Sequence, residues 1–193
     1  LAFLLHRNGL YAERHGYEHM FVQKAAYDLP VYWQKVAMAR RLMEAGYDAA
    51  LWLDTDAVVH DLDRPLDALF EADEAMVAAG DNPFWSSPFN AGVFAVRAAD
   101  GRGLSLTGRW LDLFRGARWT RTPTAWECQE EWAGPDFEQG AFVAHLLADA
   151  TASGELRLAD WRLLQSPFPV EGAFALHFAG PFKANLPAYV QLI

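Results

Sequence analysis

The chain has 193 residues, of which 52% are hydrophobic, 14% aromatic and 21% charged, the composition of one well-cored globular domain with little room for disorder. Its 25 acidic and 16 basic side chains leave a formal net charge of -9, which argues against nucleic acid as a partner, while a small anion stays compatible if a metal ion or a few basic groups offset the field locally. Cys128 is the only cysteine, which excludes an internal disulfide and a thiolate metal cluster, and no run reaches the ~18 to 20 apolar residues of a membrane helix.

In chain order, residues 1–15 place Phe3, Leu4, Leu5, Leu10 and Tyr11 among charged residues at spacings that predict an amphipathic helix stopped by Gly16. Met20 to Val22 is a short strand candidate. After Pro30, the spacing of Trp33, Val36, Ala39 and Met43 predicts a helix over 33–45, closed by Gly46. Ala49 to Leu53 reads as a buried strand that stops at Asp54. Met76 to Ala79 and Gly92 to Val96 read as further strands, 109–114 as a short helix, 116–137 as a long loop, 137–150 as helical and 173–178 as a last strand. Helix, short loop, apolar strand and then acids at the strand's carboxyl end is the layout of an open α/β sheet, where ligands bind outside the strand ends.

Asp54 and Asp56, one residue apart just past a strand, can converge through the turn and present oxygen ligands on one side. Mg2+ or Mn2+ takes such ligands and keeps positions open for water or phosphate. A pair of solvated acids at a strand end is the bland alternative, because Asp-x-Asp is too short to be specific. Asp61 and Asp63, beyond His60 and near Pro65, read more simply as turn and cap residues. The same stretch also fits a haloacid-dehalogenase-type phosphatase with Asp54 as nucleophile and Asp56 as general acid. That chemistry needs a second acidic metal motif, and after Asp81 the residues Asn82, Pro83, Phe84 and Trp85 supply none. Near the other end, HFAGPFK at 177–183 follows an apolar strand with an imidazole for a metal, a glycine that allows close backbone approach to phosphate, and an ammonium for a leaving diphosphate.

With these motifs the sequence resembles the GT-A-fold glycosyltransferases, and within them two groups: the glycogenin-like and lipopolysaccharide galactosyltransferases, and the Golgi galactosyl-, xylosyl- and mannosyltransferase family. The resemblance rests on KVAMARRLMEAGYDAALWLDTDAVV (35–59), FNAGVFAVR (89–97), FEQGAF (137–142) and HFAGPFK (177–183), in the family order. It implies a Rossmann-like α/β fold with a mixed, mostly parallel sheet flanked by helices, formed by residues 1–193 as a single catalytic domain. HRNGLYAERHGYEH (6–19) resembles the helix that follows the family's first strand, so the expectation is an N-terminally truncated excerpt lacking that strand.

The resemblance further implies that Asp54, Asp56 and His177 hold Mn2+ or Mg2+, with Asp54 also near the ribose or sugar. Gly180 and Lys183 would contact the diphosphate, Lys35 and Asn90 the donor sugar or its phosphate, and Glu138 and Gln139 the sugar ring as catalytic candidates. The helix-initiating alternative for Glu138 and a turn role for Asn90 stay open. The motif departs from the glycogenin-like pattern at Ala184, where that pattern has proline and an aromatic. The implied reaction moves a hexose or pentose from a nucleotide-diphospho-sugar, a UDP-sugar first, to a glycan or glycoconjugate with retention of configuration. The implied setting is the Golgi lumen, as part of a longer membrane-anchored protein in a eukaryote, or otherwise the cytoplasm. Besides the phosphatase, a catalytically silent carbohydrate-binding relative is the other reading.

Overall fold

A computed structural model describes residues 1–192. Helix α1 (Ala2–His15) buries Leu4, Asn8, Tyr11 and Ala12, a stripe at helical spacing, and ends at Gly16. An irregular stretch leads to α2 (Val31–Glu44), which starts after Pro30 and buries Trp33, Val36 and Met43. Strands β1 (Ala49–Leu53), β2 (Ala57–Val59), β3 (Met76–Ala79) and β4 (Asn90–Arg97) follow, then α3 (Arg102–Leu111), the hairpin strands β5 (Trp119–Arg121) and β6 (Trp126–Cys128), and α4 (Glu138–His145) with α5 (Leu147–Ala152). The chain closes with β7 (Leu156–Ala159), α6 (Trp161–Leu164), β8 (Ala175–His177), a 3-10 turn over Gly180–Asn185 and α7 (Leu186–Leu192).

The main sheet has the order β1-β4-β3-β7. β4 runs antiparallel to both β1 and β3, and β7 is parallel to β3, so β1, β3 and β7 share one direction and β4 alone opposes them. The sheet is mixed as expected but not mostly parallel: two of the three pairings are antiparallel because the opposed strand lies inside the sheet. Apolar runs buried on both faces read alike whichever way they point. Along β4, Phe94 and Val96 pack with Trp33, Trp110 and Phe142 on the side of α2, α3 and α4. Val93 and Ala95 point the other way, to Tyr11, Leu164 and Phe174.

The structure departs from the sequence reading in several places. Met20 to Val22 forms no strand; Met20 and Phe21 stay about two-fifths exposed, at 42% and 41%, with no neighbouring strand to cover them. The segment 116–137 is not all loop, because Trp119 pairs with Cys128 across a turn in which Thr122 donates its backbone N–H to the Ala125 carbonyl at 2.8 Å. Of the short helix expected at 109–114, residues 109–111 are the end of a longer one, α3, and 112–114 lie beyond it in a turn. The helix over 137–150 breaks at Leu146 into α4 and α5, and β2 and β7 were not expected.

Among the described residues, β1 pairs only with β4, and no strand from residues 1–48 lies beside it. Its free edge borders a cavity of about 940 Å3 between α1, α2 and the stretch after Gly16. No helix among the described residues is long and apolar enough to cross a membrane.

Candidate functional site

Asp54 ends β1, where its backbone N–H donates to the Gly92 carbonyl of β4 at 2.8 Å. Ala57 donates back to the Asp54 carbonyl at 2.8 Å, so the Asp-Thr-Asp segment is a tight turn between β1 and β2. β2 then pairs antiparallel with β8 and sets Ala57 opposite His177. Phe178 donates to the Asp56 carbonyl at 2.9 Å, which locks the register. Sheet pairing is thus what brings the C-terminal motif to the carboxylates.

One ligand atom from each of Asp54, Asp56 and His177 lies within 4.8 Å of the others. Two carboxylate oxygens and an imidazole nitrogen form a donor set suited to a divalent cation such as Mn2+. His177 Nε2 lies 3.3 Å from Asp56 Oδ1, and Lys183 Nζ lies 3.2 Å from Asp56 Oδ2. Burial raises the pKa of Asp56, but its bonds to His177 and Lys183 outweigh burial and hold it at about 2. Asp56 is therefore an anion throughout the neutral range.

The other carboxylate is held by a buried cation. Lys35, on α2 with 5% of its surface exposed, places Nζ 2.9 Å from Asp54 Oδ1, 3.3 Å from Glu138 Oε1 and 3.2 Å from the Ala91 carbonyl. Burial alone would lower the Lys35 pKa, but the two carboxylates reverse that and raise it, so it stays an ammonium. Burial pushes Glu138 up against the pull of Lys35. Trp52 Nε1 donates to Asp54 Oδ1 at 2.7 Å, completing the hold on that carboxylate.

Asn90 is buried; its amide donates to Asp81, and its Oδ1 accepts from the Gly92 N–H at 2.7 Å. Gln139 accepts from the Ala91 N–H at 3.0 Å and donates to Ser87 Oγ at 3.3 Å. Glu138 and Gln139 open α4 and so reach β4 from the side of α2. Gly180 has φ +55°, a left-handed conformation that favours glycine, and opens the 3-10 turn that carries Lys183. The Lys183 side chain is 64% exposed, which leaves its ammonium open to an anion from solvent.

Two residues of this site carried no sequence signal as functional. Gln165, 1% exposed at the end of α6, accepts at Oε1 from His177 Nδ1 over 2.7 Å. Its amide nitrogen faces the carbonyls of Val93 at 3.1 Å and Asn90 at 3.4 Å, so the oxygen is the atom turned to the imidazole. That holds a proton on Nδ1, so Nε2, which donates to Asp56 when it too is protonated, is the nitrogen free to give its lone pair to a cation shared with Asp56. Gly92 is the second. A Cβ there would lie 2.1 Å from His177 Cε1 and 2.8 Å from each ring nitrogen, so the imidazole sits directly against the backbone of β4. Gly92→Ala is expected to expel the ring and weaken divalent-metal binding by about tenfold or more, and to destabilise the fold by about 1–3 kcal/mol, both read by titration and urea unfolding. Wild-type metal affinity in that variant would remove His177 from the ligand set.

Residues 6–79 match the model of the galactosyl transferase GMA12/MNN10 family. No curated protein matches the chain. Among solved structures, a glycosyltransferase involved in the glycosylation of the major capsid of PBCV-1 superimposes with a TM-score of 0.67 at 16% identity, over 98% of this chain and 91% of that one, a likeness of fold. The matched segment runs from α1 through the Asp54 and Asp56 pair and into β3, so the resemblance read from the motifs holds there, and the chain carries the galactosyl transferase GMA12/MNN10 family pattern over residues 6–79 within a fold like that of a glycosyltransferase.

Proposed function

We propose that residues 1–193 act as one catalytic domain that transfers a hexose or pentose from a nucleoside diphosphate sugar, a UDP-sugar first, to a glycan acceptor with retention of configuration. The observation that carries this reading is the convergence of Asp54, Asp56 and His177, with Lys183 beside them, at the end of a cavity large enough for a nucleotide. Asp54 and Asp56 line that cavity together with Lys35, while Tyr47 and Leu42 line its apolar part. A base and ribose fit the apolar part, and the diphosphate then falls at the carboxylate end.

Asp54, Asp56 and His177 would hold a divalent cation, which when bound neutralises charge on the diphosphate leaving group. Lys183, exposed and already 3.2 Å from Asp56, supplies a second positive charge to the same phosphate oxygens as the glycosidic bond breaks. Gly180 lets the backbone approach them. Gln139, fixed by the Ala91 N–H and Ser87, lies on the sugar side with Asn90. Glu138 is 4% exposed and paired with Lys35, which supports a role in fixing Lys35 and thereby Asp54. That arrangement favours front-face attack by the acceptor hydroxyl, with its proton passing to the departing phosphate, over a covalent bond to Glu138. The phosphatase reading has no such support, because Asn82, Pro83, Phe84 and Trp85 after Asp81 supply no second acidic metal motif.

The test is calorimetric titration with UDP, with and without Mn2+. Binding is expected only with the metal, and Asp56→Ala is expected to weaken it by about a hundredfold or more, as loss of a ligand that carries full charge. Equal binding in excess chelator would sink the metal-dependent reading.

A further inference from the structure

The loop over 81–88 lies between the two halves of the site and is accounted for by neither. Its base is tied down: Asp81 donates its N–H to the Ser87 carbonyl at 3.0 Å, and the buried Asn82 side chain accepts from the Phe84 N–H at 3.1 Å. Ser87 accepts from Gln139 on the sugar side, and the Asp81 carboxylate accepts from Asn90. On the diphosphate side, a Cβ at Gly180 would lie 3.0 Å from the Trp85 ring, so that ring rests on the glycine.

A loop fixed this firmly still holds two large aromatics outward. Phe84 is 66% and Trp85 37% exposed, although burying either would be favourable. Both rings pack on Phe182, at centroid distances of 5.3 and 5.7 Å, in the turn that carries Lys183. Phe84 and Trp85, exposed, and the half-buried Phe182 form an apolar ridge whose position is set from both sides by site residues. Residues 82–90 include no charged side chain in a chain of net charge -9, and Ser86 and Ser87 are the hydroxyls nearest in sequence. None of Phe84, Trp85 or Phe182 lines the nucleotide-sized cavity, so the ridge serves a different ligand from the one that fills it.

We infer that Phe84, Trp85 and Phe182 are the acceptor subsite, a stacking platform for the pyranose ring of a neutral saccharide. A pyranose presents C–H groups on its faces and hydroxyls round its rim, which matches aromatic faces with serines beside them and a charge, Lys183, only on the diphosphate side. A saccharide stacked there lies between Gln139 and Asn90 on one side and Gly180 and Lys183 on the other, so its hydroxyl enters where the donor's anomeric carbon and leaving oxygen would meet. The inference rests on the glycosyltransferase reading of the site.

The test titrates the protein, with UDP and Mn2+ present, with maltohexaose, cellohexaose, xylohexaose and mannohexaose, followed by calorimetry and saturation-transfer NMR. At least one is expected to bind, with Phe84→Ser and Phe182→Ser each weakening it by about tenfold and Phe84→Tyr retaining it, while UDP affinity with Mn2+ stays at the wild-type value. Phe84 is exposed, so its replacement leaves the fold intact, and retained UDP binding shows this directly. Overturning results are saccharide affinity unchanged in both serine variants, no binding of any of the four to a wild-type protein that binds UDP, or self-association lost in Phe84→Ser. If the wild-type protein fails to bind UDP with Mn2+, the glycosyltransferase site itself is wrong and the subsite falls with it.

Discussion

Lys35→Met is expected to destabilise the protein by about 3–5 kcal/mol at pH 7, because it removes the one cation that compensates two carboxylates at the centre of the fold. The Lys35 side chain is 7% exposed and that of Glu138 5%, so Glu138 is not rescued by water when Lys35 is lost, whereas Asp54, 31% exposed, is rescued in part. The sign of the pH dependence follows from Glu138. Burial already raises its pKa, and without Lys35 it rises further. A carboxyl raised in the folded state favours folding below its unfolded value of about 4.3 and loses that contribution as pH climbs through the folded value. The deficit of the variant is therefore smallest near pH 4–5 and fully developed at pH 8. Adding Glu138→Gln removes one of the stranded charges and should recover part of the loss. Urea unfolding of the single and double variants at both pH values measures this. A single variant within about 1 kcal/mol of wild type at pH 8 would mean that Lys35 does not compensate these acids.

The residues that the sequence singles out are those whose chemistry is unusual where they stand. Asp54 and Asp56 end an apolar strand, and His177 and Lys183 follow one, so each reads as a polar group placed at a sheet edge for a reason. The helices were legible where apolar spacing repeats, as in α1 and α2, and ended at glycine or followed proline. Strand direction was not legible in β4, because a strand buried on both faces shows an unbroken apolar run either way. The hairpin of β5 and β6 was hidden in a polar segment whose order comes from the packing of Trp119 against Phe137 and Tyr32. Lys35 was found through its motif, yet its buried placement between Asp54 and Glu138 came only with the packing of α2 and α4 on β4. Gly92 likewise lies inside a motif, but its reason for being glycine is a ring from β8 that no local pattern reveals. Gln165 had no signal at all.

Gln165→Leu is expected to weaken divalent-metal binding by about 10–100-fold, the range for losing an outer partner that orients a metal-ligating histidine. Gln165 Oε1 accepts the Nδ1 proton of His177 at 2.7 Å, and its own amide is held by the carbonyls of Val93 and Asn90 on β4. The leucine fills the space but accepts nothing, so the proton is free to move to Nε2 and occlude the lone pair that faces Asp56. Gln165→Glu keeps an acceptor on Nδ1 and is expected to restore metal affinity toward wild type, although it leaves two carbonyls without donors and lowers stability. A role in packing alone predicts the reverse order, with leucine the milder change. Mn2+ titration by electron paramagnetic resonance ranks the two variants. Nitrogen-15 spectra of the metal-free protein, recorded at a pH where the ring is neutral, report the tautomer: Nδ1–H in wild type and Gln165→Glu, and a mixture in Gln165→Leu. Equal metal affinity in all three proteins with an unchanged tautomer would mean that the orientation of His177 is set by its contact with Gly92 alone.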